Sequence, residues 1–226
     1  KRGSISKTWW AWPRDGSRRA GGVPGGIAAS EDVVVVATGS GEVVAISRDG
    51  EPLWQRRAFD EPASVTAPPA VGHGCVFVCE RGGQCAALRL SDGERMWHDM
   101  RVRGPLYAGP AVSDRAVFVA SGGGTVSELD ARTGARRRDV DLNDEHRPCW
   151  CGRRFTGCAA PPTCTPKYVL FGTSSWRVYA WRRGTSRVAK VLETDGPVFS
   201  APAVSDGHVY VTGWDGTVWA VATPEA

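Results

Sequence analysis

An all-β chain, a β-propeller of four-stranded antiparallel blades, is what this sequence predicts, on three observations. A block of about twenty residues recurs five times. Each block holds two short apolar runs joined by a tight turn, and such runs suit buried strands better than a helix. Most blocks then pass through a second turn into a strand richer in charge. Four short antiparallel strands per repeat make one propeller blade.

The clearest block runs from Gly196 to Val221, GPVFSAPAVSDGHVYVTGWDGTVWAV. Val198 to Val204 reads as one strand of small residues. Pro202 marks it as an edge strand, because proline cannot donate to a ladder. Ser205-Asp206-Gly207 is a turn. His208 to Thr212 is β-branched and aromatic, hence a strand. Gly213-Trp214-Asp215-Gly216 is a hairpin turn, since its glycines can take positive φ. Thr217 to Val221 is the next strand.

In chain order, Ser6 to Trp12 (SKTWWAW) is a strand with no block of its own. The blocks open near residues 27, 69, 110, 162 and 202, at spacings of 42, 41, 52 and 40. In the first three, Asp49-Gly50, Asp92-Gly93 and Thr133-Gly134 lead to outer strands at Trp54, Trp97 and Arg138. In the fourth, Gly184 leads to Val188. The fifth block stops at Val221-Ala222-Thr223 without an outer strand. The N-terminal strand is expected to supply it, closing five blades into one domain over residues 1–226. A slice of a larger ring is the alternative. The 52-residue spacing holds an insertion of about ten residues within Asn143 to Ala160. Insertions in repeat proteins map to loops, often on a binding face.

Composition narrows the function classes. With 42% hydrophobic and 23% charged residues the chain is globular rather than disordered. No apolar run approaches the roughly 20 residues of a membrane-spanning helix, and no membrane partner is expected. The N-terminal stretch lacks the apolar core of a signal peptide. The net charge is +4, with 24 Arg against 4 Lys. That skew reads as coding bias before phosphate recognition, so a nucleic-acid partner is not favoured. Seven cysteines, an odd number, favour a reducing, intracellular compartment. H-E-x-x-H, G-x-S-x-G, P-loop and haem-attachment motifs are absent from the sequence, and His98 and Asp99 alternate on one strand. No catalytic residue is therefore proposed, and enzymatic activity is not expected.

Three constellations are candidates for function. His146, Cys149, Cys151, Cys158 and Cys164 cluster within 20 residues. Zinc ligation, disulfides and free loop thiols are all open there. Cys75, Cys79 and Cys85, on the second block's hairpin, read as buried filler. Trp176 and Trp214 fall in hairpin turns and Trp150 in the insertion, either as a recognition surface or packed between blades as Trp54 and Trp97 are expected to be. Arg136-Arg137-Arg138, Arg153-Arg154 and Arg182-Arg183 are basic clusters that read as solvated surface before phosphate contacts.

The stretches FSAPAV, VYV and DGTVWAV, with DGEPLW and DGERMW earlier, resemble the PQQ-like repeat of quinoprotein-type propellers, over nearly the whole chain. In the alcohol dehydrogenase branch, the resemblance implies a quinone on a disulfide between adjacent cysteines and a calcium held by Glu, Asn and Asp. Here no two Cys are adjacent and the lone Asn143 lies in the insertion, so that activity is not carried over and no cofactor is expected. A second branch, the bacterial outer-membrane assembly lipoprotein, is a non-catalytic scaffold with a signal sequence and lipobox that this sequence does not show. The sequence is most similar to a third, the C-terminal propeller of β-alanine-activating adenylate-forming enzymes. These readings converge on a binding or scaffold module. It is expected to engage a protein partner on one loop face through Trp150, Arg153, Arg154, Arg81, Trp176 and Trp214. A quinone- or small-molecule-binding enzyme and a nucleic-acid-contacting subunit are the alternatives.

Overall fold

Turn chemistry sets where each strand reverses. At Asp206-Gly207 both residues take positive φ, 48° and 71°, the geometry of a two-residue hairpin whose twist matches its strands. His73-Gly74 does the same at 53° and 70°. The computed structural model describes residues 25–142, 157–158 and 160–223, and among them the chain forms five antiparallel sheets.

The first sheet is β1 (Gly26–Ala29), β2 (Val33–Ala37), β3 (Glu42–Ser47) and β4 (Pro52–Arg57). The second is β5 (Ala70–Gly72), β6 (Cys75–Cys79), β7 (Gln84–Arg89) and β8 (Arg95–Arg101). The third is β9 (Ala111–Ser113), β10 (Ala116–Ala120), β11 (Thr125–Asp130) and β12 (Arg136–Asp141). The fourth is β13 (Thr163–Cys164), β14 (Tyr168–Gly172), β15 (Arg177–Arg182) and β16 (Val188–Glu193). The fifth holds β17 (Ala203–Ser205), β18 (His208–Thr212) and β19 (Val218–Ala222). In every sheet the strands neighbour one another in chain order, the up-and-down blade of a propeller. None of the described elements is a helix long and apolar enough to cross a membrane. The Ser6–Trp12 strand expected from the sequence lies outside the described residues.

Composition changes across each sheet for a physical reason. Inner strands crowd one another, so they are short and small-residued. A Cβ on Gly72 would stand 2.7 Å from the Val112 side chain of the next inner strand. In the second, third and fourth sheets the second strands are covered on both faces by neighbouring sheets, so they read as unbroken apolar runs, whereas β18 of the fifth alternates exposed and buried. β6 and β10 are buried at every position. On β6, Val76 and Val78 pack into a cluster with Val35, Val43 and Trp54 of the first sheet. Cys75, Phe77 and Cys79 point the other way, against Val117, Val119 and Leu129 of the third. Phe118 and Trp181 meet edge to face at 5.7 Å in the cluster shared by the third and fourth sheets.

Outer strands reach forward to lock neighbouring sheets. The Trp54 indole N–H donates to the Leu90 carbonyl of the second sheet at 2.8 Å. The Trp97 indole donates to Ala131 of the third at 3.0 Å. Both are buried between sheets, as the sequence led one to expect. Between the third and fourth sheets the lock runs the other way: Arg183, in the turn after β15, reaches back to lie over the Phe118 ring and pair with Asp114.

The fifth sheet corrects one expectation. Val198 to Val204 is not one strand; pairing begins only at Ala203. Pro202 brings no N–H to the ladder, and Val198 is drawn aside, its N–H donating to the Thr173 carbonyl at 3.1 Å.

Asp130 caps the turn after β11. Partial desolvation raises its pKa, but hydrogen bonds from the Thr133 N–H, Arg137, the Thr133 hydroxyl and the Arg132 N–H outweigh it and hold the carboxyl at about 2. A carboxylate with a depressed folded pKa stabilises above its unfolded value and loses that contribution as pH falls through the folded one. Asp130→Asn is therefore expected to cost about 1–2 kcal/mol at neutral pH. In denaturation curves across the acid range the deficit should close between about pH 4 and pH 2. A pH-independent deficit would place the cost in turn geometry instead.

Candidate functional site

Five hairpins join the second and third strands of the sheets, and their turns occupy one end of the molecule. They are Thr38–Gly41, Glu80–Gly83, Ser121–Gly124, Thr173–Trp176 and Gly213–Gly216. All five are built alike. The fourth residue donates its N–H to the first carbonyl, and the first N–H donates to the residue after the turn. That is a tight turn closed by a residue in left-handed conformation, normally glycine. Gly41, Gly83, Gly124 and Gly216 take φ of 84°, 101°, 82° and 86° in that place. The fourth turn puts Trp176 there, at φ 69°. A bulky residue so held carries a backbone cost of about 1–3 kcal/mol.

Connectors between sheets run across this same end and stitch adjacent turns. Arg81, Gly122, Ser174 and Trp214 each donate their N–H to a connector carbonyl, on Ser64, Pro105, Gly157 and Pro197 respectively. The next connector residue donates back to the preceding turn: Val65 to Gly39, Leu106 to Arg81, Cys158 to Ser121 and Val198 to Thr173. Val65, Leu106, Cys158 and Val198 are all buried at 1% exposure or less. Each plugs the gap between two sheets.

This register places the candidates. Cys158 is a core plug in the position of a valine or leucine, not a loop thiol. It also fixes the insertion. Leu142 donates to Gly124 as Thr194 donates to Trp176, and Gly157-Cys158 match Pro197-Val198. The departure from the repeat is therefore 143–156, which stands in place of Asp195-Gly196 alone; 157–160 belong to the ordinary connector. His146, Cys149, Trp150, Cys151, Arg153 and Arg154 lie outside the described residues. Both flanks of the insertion, Leu142 and Gly157, bond to turns of this face.

Arg81 stands in the second turn with its guanidinium 5.5 Å from the Tyr107 ring centre. Trp176 and Trp214 come together across the connector. With Asp195, Gly196, Pro197 and Asp215 they line a cavity of about 420 Å³. Trp214 rests edge to face on Phe199 at 4.9 Å and is still 58% exposed. Both Asp215 oxygens are held, one by the Thr217 N–H at 3.1 Å and one by its hydroxyl at 2.9 Å. Sequence reading missed Asp195, Pro197 and Asp215. The signal was available: aligning the turns shows a tryptophan in a glycine slot, and the connector next to it follows.

The remaining candidates resolve into structure. Cys79 and Cys85 face each other across the β6–β7 hairpin with sulfurs 3.3 Å apart. The hydrogen bond to Cys79, then burial, pushes the Cys85 thiol well above its usual range. Cys164 is pushed up to about 12, chiefly by burial. No cluster of three or more His, Cys, Asp or Glu with metal-binding geometry occurs among the described residues. In the 136–138 cluster, Arg137 pairs with Glu128 and Asp130, and Arg138 with Glu128. Arg136 pairs with Asp139 and donates to the Arg101 carbonyl.

Comparison with known proteins agrees with this architecture. The family model described as "Outer membrane protein assembly factor BamB" matches residues 6–187. Outer membrane protein assembly factor BamB of Nitrosomonas eutropha is 33% identical over 114 residues, 49% of this chain and 27% of that protein. The Bordetella pertussis BamB is 32% identical over 48% of this chain and 28% of its own length. The serine/threonine-protein kinase AfsK of Streptomyces griseus is 30% identical over 66% of this chain and 18% of the kinase. The chain thus aligns to little more than a quarter of the assembly factors it matches. Among solved structures, BamB from Moraxella catarrhalis superposes with a TM-score of 0.68 at 22% identity, over 88% of this chain and 58% of that one. The computationally designed Ika4 protein superposes at 0.57 and 19% identity, over 72% of this chain and 92% of that one. The family model that matches is the assembly factor's, and the leaning toward the β-alanine-activating branch gives way to it.

Proposed function

Because this chain belongs to the family described as outer membrane protein assembly factor BamB, we propose that it is a non-catalytic binding scaffold that holds a protein partner on its turn face. One observation carries the reading: the departures from the repeat converge on that face. Arg81 and Trp214 occupy the second place of their turns, Trp176 the glycine slot of its own, and both flanks of the 143–156 insertion bond to turns there. Trp150, Arg153 and Arg154 belong to that insertion. Tryptophan and arginine are the residue types that dominate interface energetics. At the opposite end the turns at His73-Gly74 and Asp206-Gly207 are ordinary two-residue hairpins. The assembly role in the relatives' names supports a protein partner over a small molecule.

Charge reversal on each end tests this. Arg81→Glu changes the turn face; Arg115→Glu, after β9, changes the other. The immobilised chain is used to capture partners from an extract of the source organism, followed by titration of what is captured. Arg81→Glu is expected to weaken binding at least about 10-fold, the size of a moderate interface contact, with Arg115→Glu near parental. The reverse pattern would move the site to the other end.

A further inference from the structure

We infer that Cys79 and Cys85 are a disulfide site, closed by exchange with a small disulfide while the chain folds and buried once it has folded. The two residues stand directly opposite on β6 and β7, with sulfurs 3.3 Å apart. The ladder puts them in its closer kind of pair. The Glu80 N–H donates to the Gln84 carbonyl at 2.8 Å, and pairs with and without mutual backbone bonds alternate along an antiparallel ladder. Cys79 and Cys85 therefore form a pair without them, in which Cα atoms stand about 4.5 Å apart. That spacing lies within the range a disulfide spans, so side-chain rotation closes the bond without moving the strands. Cys75 supplies the contrast. It packs in the same cluster as Cys79, but Arg89 stands opposite it, and four residues of strand put it about 13 Å from Cys79.

Burial decides when the bond forms. Cys79 is 3% exposed and Cys85 2%, in a cluster with Phe77, Trp97, Val102, Leu106 and Val119. The hydrogen bond to Cys79, then burial, holds the Cys85 thiol well above its usual range. A thiol so placed exchanges poorly, so the step belongs to the folding chain, where both sulfurs are solvated. The residues are six apart in sequence, and a loop that short closes at little entropic cost. A thiolate of one cysteine attacks a sulfur of glutathione disulfide, whose S–S bond breaks, and one glutathione leaves as thiolate with the electron pair. The second cysteine's thiolate then attacks the protein sulfur of that mixed disulfide and expels the other glutathione. The chain gives up two protons and two electrons, and the small disulfide becomes two thiols. The ring so closed encloses the Glu80–Gly83 turn that presents Arg81.

The reduced full chain is unfolded in urea and refolded by dilution into either a glutathione–glutathione disulfide buffer or dithiothreitol. Free thiols of the soluble folded fraction are capped in urea, and the chain is digested with trypsin without reduction. Cleavage after Arg81 puts Cys79 on 58–81 and Cys85 on 82–89. Mass spectrometry is expected to find these two peptides joined after the glutathione buffer, and separate and capped after dithiothreitol. Cys75, on the same 58–81 peptide, should carry a cap in both. Cys75→Ala should keep the joined species and Cys85→Ala abolish it. Dithiothreitol should open it at least about 10-fold more slowly in the folded chain than in urea. Chain synthesised cell-free in the glutathione buffer gives the same map with no refolding step. Capped Cys79 and Cys85 after the glutathione buffer, glutathione left on either, or Cys85 joined to any other cysteine would each overturn the inference. So would equal rates of opening in the folded and unfolded chain.

Discussion

With residues 143–156 replaced by Asp-Gly, the chain should melt within a few degrees of the parent and bind its partner about 100-fold more weakly. The hydrogen-bond register licenses the graft. Thr194, Asp195-Gly196 and Pro197-Val198 already connect the fourth sheet to the fifth, and Leu142 and Gly157-Cys158 hold the matching places. Cys158 must be kept because it is fully buried between the third and fourth sheets. Gly157 must be kept because a Cβ there would fall 2.0 Å from the Gly122 carbonyl carbon. A swap reaching to Ala160 would pull out this plug and confuse misfolding with lost binding. The shorter swap removes Trp150, Arg153 and Arg154 together, and a factor of about 100, near 2.7 kcal/mol, is the loss of one or two hot-spot residues. Titration of parent and graft with the captured partner measures it. Equal affinity would assign binding to the turns without the insertion.

Truncation before Pro13 is expected to abolish cooperative unfolding and promote aggregation. Four sheets carry a charged outer strand beyond their third, but β19 has none among the described residues. Its residues alternate exposed and half-buried, with Val218 at 67% exposure. An uncovered edge of that length templates pairing with other chains. Trp12 precedes Ala28 by the interval at which Trp54 precedes Ala70. If Ser6–Trp12 completes the fifth sheet, Trp12→Ala should cost what Trp54→Ala costs, about 3–5 kcal/mol. Chemical denaturation of the two variants side by side gives the comparison. A truncated chain that melts like the parent would show that this strand contributes nothing to the fifth sheet.

Much of the fold was legible because its signals are local. The turns at Gly41, Gly83, Gly124 and Gly216 declare themselves through a conformation other residues avoid, and the apolar runs between them must be covered on both faces. The failures have one cause, that register across a gap is not local. Val198 looked like strand because its residue type fits one; only the Thr173 carbonyl, some twenty-five residues earlier, makes it a plug. Cys158 was grouped with its neighbours, as zinc ligand, disulfide partner or loop thiol, because it lies near other cysteines in sequence. In space its equivalents are Val65, Leu106 and Val198. Trp176 was legible as an aromatic in a turn, while its strain emerges only when the five turns are superposed.

The indole-to-carbonyl locks and the connector stitches share a property with consequences for descent. Every junction is made from the same backbone groups, a turn N–H to the connector and a connector N–H back to the preceding turn, and the first two add a forward indole, Trp54 to Leu90 and Trp97 to Ala131. Duplicating or deleting a whole unit therefore leaves the backbone stitches of each junction complete, whatever side chains lie beside them. Gene rearrangement can change the number of units in such a chain far more cheaply than it can change one surface of a unit. Relatives of quite different length are the outcome that this junction chemistry favours.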